Sequence, residues 1–186
     1  PRGFGVQHLW GWEESEVPSE WVNQFNTHLD GITTMSRYVS KVLVDNGVAV
    51  PLAVAGVGVD HWERGPADTA FERPPEARDF IFLHVSSCFP RKGIDVLLRA
   101  WGEAFTNRDD VTLLIKTFPN PHNTAQQLLA EARQGNTHYP NVVVIEEDLS
   151  DGQLKALMEM SDALVAPSRG EGFGLPIAEA MLSGLP

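Results

Sequence analysis

The chain has 186 residues, 42% hydrophobic and 21% charged, which is room for one ordinary soluble domain or parts of two. Its 25 acidic residues outnumber 14 basic ones, and the formal net charge of -11 sets it against a nucleic-acid backbone. The single cysteine, Cys88, excludes an intrachain disulfide and fits a reducing, cytoplasmic setting.

Read in order, the chain begins Pro-Arg-Gly-Phe-Gly, without the layout of a signal peptide. Trp10, Trp12 and Trp21 lie in the first thirty residues. The acidic stretch Glu13–Glu20, with Pro18, suits a helix start. Ile32–Met35 reads as a short strand. Ser36 then caps a helix that Asn46-Gly47 stops, and Val48–Val54 reads as a second strand. Residues 63–79 are polar and Pro-rich, either a linker at a domain boundary or a long surface loop. We divide the chain accordingly into 1–62, a linker at 63–79, and 80–186.

Beyond the linker, strands and helices alternate. Strands are expected at Phe80–Val85, Val111–Lys116, Val142–Ile145 and Ala163–Val165. Helices are expected at Lys92–Phe105, at about Asn123–Arg133, after Ser150, and at Leu175–Ser183. Ile94, Leu97, Leu98, Trp101 and Phe105 fall on one face of the first of these. Ser150 and Gln153 have the spacing of a capping box. Such alternation implies an α/β fold with a doubly wound parallel sheet, which binds ligands beyond the carboxyl ends of its strands. The loops of interest are therefore Ser86–Arg91, Glu146–Asp148 and Pro167–Gly174.

Two of these loops carry chemistry. Gly170, Gly172 and Gly174 follow a strand and precede a helix, where bare backbone amides can approach an anion. Glu171 lies in that loop and Glu179 on the helix, both suited to accept hydrogen bonds from a diol. Arg91 and Lys92 stand at the start of another helix, where two cations oppose the dipole unless an anion is bound. The six histidines are scattered without ligand spacing, so no metal site is expected. Cys88 reads as a loop or core thiol. No apolar run reaches the roughly 18 residues of a membrane span.

Glu171-Gly-Phe-Gly-Leu-Pro-Ile-Ala-Glu179-Ala-Met, followed by Ser183-Gly-Leu-Pro, resembles the signature of the large family-four retaining glycosyltransferases of GT-B fold. Arg91-Lys-Gly-Ile-Asp95 and Ser161-Asp-Ala-Leu-Val-Ala-Pro-Ser168 are similar to that family's loop, first helix and leading strand. Trp12-Glu13, Pro18, Trp21-Val22, Thr34-Met35-Ser36 and Gly58-Val59-Asp60 resemble the end of its acceptor domain and the approach to its hinge.

The resemblance implies two Rossmann-like domains, each incomplete in this chain, and sugar transfer from a nucleoside-diphosphate sugar with retention of configuration. It places Glu171 beside the donor sugar as a catalytic residue and Glu179 on the ribose. Lys92, the second catalytic residue, holds the diphosphate with Arg91, and backbone amides of Phe173, Gly174 and Leu175 meet sugar or phosphate. Asp148 and Leu149 lie near the base. No cofactor or metal is implied beyond the donor substrate. The acceptor would be a carbohydrate or a lipid-linked molecule in polysaccharide or glycoconjugate assembly, with peripheral association at the inner membrane face left open. An epimerase, a glycogen-synthase-like transferase or a nucleotide-binding module without turnover are the alternatives. The family's frequent Arg five positions before the loop lysine is Ser87 here, and Arg91 is its candidate substitute. The 186 residues are expected to bind nucleotide without catalysing transfer by themselves.

Overall fold

A computed structural model describes residues 5–186, so the first four residues of the opening segment lie outside the described residues. The chain forms two compact units. One runs up to Gly58 and includes Gly170–Gly174; the other comprises Val59–Arg169 and Leu175–Pro186.

In the first unit, strands β1 (Val6–Trp10), β2 (Gly31–Thr34) and β3 (Leu52–Val54) make a parallel sheet in that order. Helix α1 (Ser19–His28) connects β1 to β2, and α2 (Arg37–Asp45) connects β2 to β3. The Ser36 side chain accepts a 3.2 Å hydrogen bond from the Val39 amide, the expected cap of α2, and Asn46 ends that helix. Val22, Ile32, Val42, Leu43 and Val48 form the core. Trp10 packs at its border, 5.1 Å from Phe25 and 5.8 Å from Trp21 between ring centroids.

Two elements differ from the sequence reading. Strand β1 was not expected, because Gln7 and His8 put polar residues in the middle of a five-residue run. The strand read over Val48–Val54 shrinks to Leu52–Val54. Pro51 has no amide for a ladder, and Val48 is spent closing the turn after α2, its amide bonded to the Leu43 carbonyl.

The second unit opens with the one-turn helix α3 (His61–Arg64). Its sheet contains β4 (Phe80–Val85), β5 (Val111–Lys116), β6 (Asn141–Ile145) and β7 (Ala163–Leu164), all parallel, in the order β6-β5-β4-β7. The chain thus steps outward from β4 to β6 and returns to the other side of β4, leaving a switch point between β4 and β7. Helices α4 (Ile94–Ala104) and α5 (Ala125–Arg133) cover one face. Helices α6 (Asp151–Glu159) and α7 (Leu175–Leu182), with α3, cover the other.

Period-two alternation explains the two cores. Leu113 and Ile115 face Ile94, Leu98, Trp101 and Leu129, whereas Leu114 joins Ile81, Leu83, Leu157 and Met158. Each fully buried side chain of this size is worth about 1.5–3 kcal/mol. Ser150 and Gln153 form the capping box read from their spacing. Residues 63–79 lie in the second unit, where Phe71 and Ala77 pack on its core and the Asp68 amide donates to the Gly152 carbonyl at 2.9 Å. Trp62 also belongs here: its indole is buried in this core and its Nε1 donates to Ser183 Oγ at 2.8 Å.

Candidate functional site

The second unit carries a cavity of about 370 Å³ at the carboxyl ends of its strands. Each loop contributes one part of the wall. Val85, Ser86, Ser87, Arg91 and Lys92 follow or end β4; Lys116, Thr117 and Phe118 end or follow β5; Asp148, Leu149 and Leu154 come from the connection into α6; Pro176 comes from the first turn of α7. Arg91, Lys92, Asp148 and Leu149, four of the residues singled out in the sequence, therefore share one cavity. Ser87 and Arg91 both line it.

The β4 loop is held by a small polar network. Buried His84 places Nδ1 2.7 Å from the Val165 carbonyl and Nε2 2.8 Å from Ser86 Oγ. Ser86 Oγ accepts the Cys88 amide at 3.0 Å. Cys88 is buried with φ of 52°, a left-handed conformation, so the thiol is part of the turn that shapes the loop. The helix expected from Lys92 starts later. Pro90–Lys92 form a single 3₁₀ turn, Gly93 takes φ of 74°, and α4 begins at Ile94. Gly93 has to be glycine: a Cβ there would run into the Pro167 carbonyl. The Arg169 amide donates to the Arg91 carbonyl at 2.7 Å, and the Arg169 guanidinium makes a bidentate pair with Asp95 at 2.9 and 2.7 Å. These contacts tie the segment after β7 to the cation loop.

Glu179 does not line this cavity. It is buried on α7, with Oε1 2.9 Å from His61 Nε2, while its carbonyl accepts from Ser183 Oγ at 3.0 Å. Leu175 is the first residue of α7 and half exposed. Glu171, Phe173 and Gly174 group with the first unit. There, the backbone at Gly170 and Gly172 comes so close to Glu13, Trp12 and Met35 that a Cβ at Gly170 would sit 2.6 Å from the Glu13 carbonyl oxygen. Close packing is thus by itself a reason for glycine at these two positions.

A groove of similar size, about 400 Å³, runs between α4 and α5. It lies on the flank of the sheet and sets three carboxylates, Asp95, Glu103 and Glu131, against one cation, Arg99, a poor match for phosphate. Among the described residues no group of three or more His, Cys, Asp or Glu is placed to hold a metal ion, and no helix is long and apolar enough to cross a membrane.

Sequence reasoning missed Lys116, Thr117, Phe118, Leu154 and His61. Lys116 ends an apolar strand in phase with Thr112 and Leu114, and that phase was the available signal that it is buried.

Comparison with known proteins agrees with this architecture. Residues 79–186 match the family described as glycosyl transferases group 1. The chain is 33% identical over 158 residues to the MMP α-(1→4)-mannosyltransferase of Mycolicibacterium hassiacum, covering 83% of this chain and 35% of that protein. It therefore spans about a third of the length of this curated relative. Among solved structures, sucrose-phosphate synthase from Thermosynechococcus elongatus superposes with a TM-score of 0.71 at 20% identity, over 89% of this chain and 41% of that one. The pneumococcal O-GlcNAc transferase GtfA, solved with UDP and GlcNAc, gives 0.62 at 18% identity, over 97% and 36%. TarM gives 0.68 at 18% identity, over 98% and 35%. These likenesses show the GT-B type of α/β fold.

Proposed function

The chain belongs to the group 1 glycosyl transferases, and on that premise we propose that it carries the donor-binding half of an enzyme that moves a hexosyl group from a nucleoside-diphosphate sugar to an acceptor with retention of configuration. The observation that supports this reading is the cavity at the carboxyl ends of β4, β5 and β6, with Arg91 and Lys92 on its wall. An electronegative chain that gathers two cations at the mouth of a switch-point sheet is suited to an anion that must be held firmly.

In this reading the diphosphate rests against Arg91 and Lys92. As the bond from the anomeric carbon to the phosphate oxygen breaks, negative charge grows on that oxygen, and the two cations stabilise it. The acceptor hydroxyl attacks from the face the phosphate leaves, and its proton passes to the departing phosphate. Glu171 contacts the sugar hydroxyls beside the reacting carbon, and Glu179 the ribose. The mannosyltransferase relative makes mannose the first donor sugar to test. The acceptor is a carbohydrate or lipid-linked glycan precursor in glycoconjugate assembly.

The test is calorimetric titration of this chain with GDP, UDP and ADP, together with transfer assays on the whole enzyme of which it is the donor-binding half, using the matching nucleotide sugars and proton NMR of the product's anomeric signal. Binding of at least one nucleoside diphosphate and a product of unchanged anomeric configuration are expected. No nucleotide binding, or an inverted product, would overturn the reading.

A further inference from the structure

The cavity has two chemically distinct ends. Around the β4 loop it is lined by two cations, Arg91 and Lys92, which suits a phosphate group. Around the ends of β5 and β6 it offers one ammonium, Lys116, and one carboxylate, Asp148, among the apolar surfaces of Leu149, Leu154 and the half-exposed Phe118. A diphosphate gains nothing from a carboxylate. A flat heterocycle with a donor and an acceptor on its edge gains from both, and an aromatic wall can stack on it.

Lys116 is an unusual residue to keep at that position. It is 8% exposed, the last residue of a central strand, and on the same sheet face as buried Leu114. Among the described residues its Nζ has one hydrogen-bond acceptor, the Thr117 carbonyl at 2.6 Å, although an ammonium carries three donors. Burial pushes this ammonium below the usual lysine range, against the opposing pull of Asp148 and Glu147. A side chain there for packing alone would be better served by Met or Leu, since a buried charge costs stability.

We propose that Lys116 is a nucleobase-reading residue: its ammonium donates to an acceptor on the base edge while Asp148 accepts from a neighbouring N–H. This assignment rests on the nucleoside-diphosphate reading of the cavity and adds to it the residue that discriminates among bases. It also separates the roles of the three cations, with Arg91 and Lys92 on the phosphates and Lys116 on the base.

The experiment compares the unsubstituted chain with K116M and K116Q by calorimetry against GDP, UDP, ADP and inorganic diphosphate, with thermal melting of each protein. K116M keeps the length and volume of the side chain, so it is expected to melt at or above the temperature of the unsubstituted chain. It should bind the preferred nucleotide roughly ten- to a hundredfold more weakly, the range of a lost hydrogen bond to a charged group. The spread of affinities among the three nucleotides should shrink, diphosphate binding should hold, and K116Q, which retains an N–H donor, should lie between. An equal loss for diphosphate and for every nucleotide would assign Lys116 to phosphate and overturn the proposal. Unchanged nucleotide affinity in a folded K116M would reduce the residue to filler and also overturn it, leaving the nucleotide reading intact. Absence of nucleotide binding by the unsubstituted chain would remove both readings together. If K116M does not fold, K116Q decides by the same criteria.

Discussion

His61 Nε2 lies 2.9 Å from Glu179 Oε1, joining the one-turn helix after the first unit to the helix that carries the family signature. The Glu179 carboxyl is nearly sealed from solvent, and His61 supplies a partner to one of its two oxygens. His61→Ala is expected to destabilise the second unit by about 1–3 kcal/mol, the usual cost of leaving a buried polar group unpaired. Urea denaturation of the pair of proteins measures it. If Glu179 also holds the ribose, nucleoside-diphosphate affinity should drop in the same variant, and an unchanged stability would mean that water takes the imidazole's place.

Lys92→Ala and Arg91→Ala are each expected to weaken nucleoside-diphosphate binding by about 1.5–3 kcal/mol, the worth of a hydrogen bond to a charged group. Both residues line the cavity, as does Ser87, where the resemblance expects an arginine. Calorimetry decides between the two positions. An effect at Lys92 alone would show that Arg91 does not compensate for Ser87.

In the full-length enzyme, Glu171→Gln is expected to slow sugar transfer at least a hundredfold, from an electrostatic loss of roughly 2.7–4 kcal/mol at the reacting sugar. Single-turnover rates with saturating donor isolate the chemical step. Transfer at the unsubstituted rate, with a lowered melting temperature, would make Glu171 a turn residue.

Asp95 gives a prediction in pH. Its hydrogen bonds from Arg169 hold the carboxyl below its ordinary value of 3.8. A carboxyl whose folded pKa is depressed adds stability above its unfolded pKa and loses that contribution as pH falls through the folded one. Asp95→Asn should therefore melt lower than the unsubstituted chain at pH 7, and the gap should close on acidification below 3.8. Both side chains are more than a third exposed, so added salt should also narrow the gap. A gap that persists at low pH would mean that the charge on Asp95 is not what matters.

Much of the second unit was legible because its elements are long enough to show a period. Phe80–Val85 and Val111–Lys116 alternate between two cores, and Ile94, Leu97, Leu98 and Trp101 repeat at helical spacing. Caps at Ser36 and Ser150 depend on neighbours three residues away, and both were read correctly. What escaped was short or distant. Strand β1 and helix α3 are too brief to establish a period. The His61–Glu179 contact joins residues 118 apart, which no local pattern encodes. Lys116 was hidden for a different reason: a lysine at a strand end ordinarily marks the return to solvent, and here it marks the floor of a cavity.

The backbone contact between Gly93 and Pro167, with the Arg169 amide bonded to Arg91, bears on where this chain can change its length. An extra residue between β4 and α4 would have to lift the turn off Pro167 and carry Arg91 and Lys92 with it. The opposite end of the same sheet is less crowded. At Gly135, between α5 and β6, a Cβ would meet nothing within 4 Å. Insertions, peptide tags and natural length differences among relatives should therefore collect around Gly135, while the span from Ser86 to Gly93 keeps a fixed number of residues.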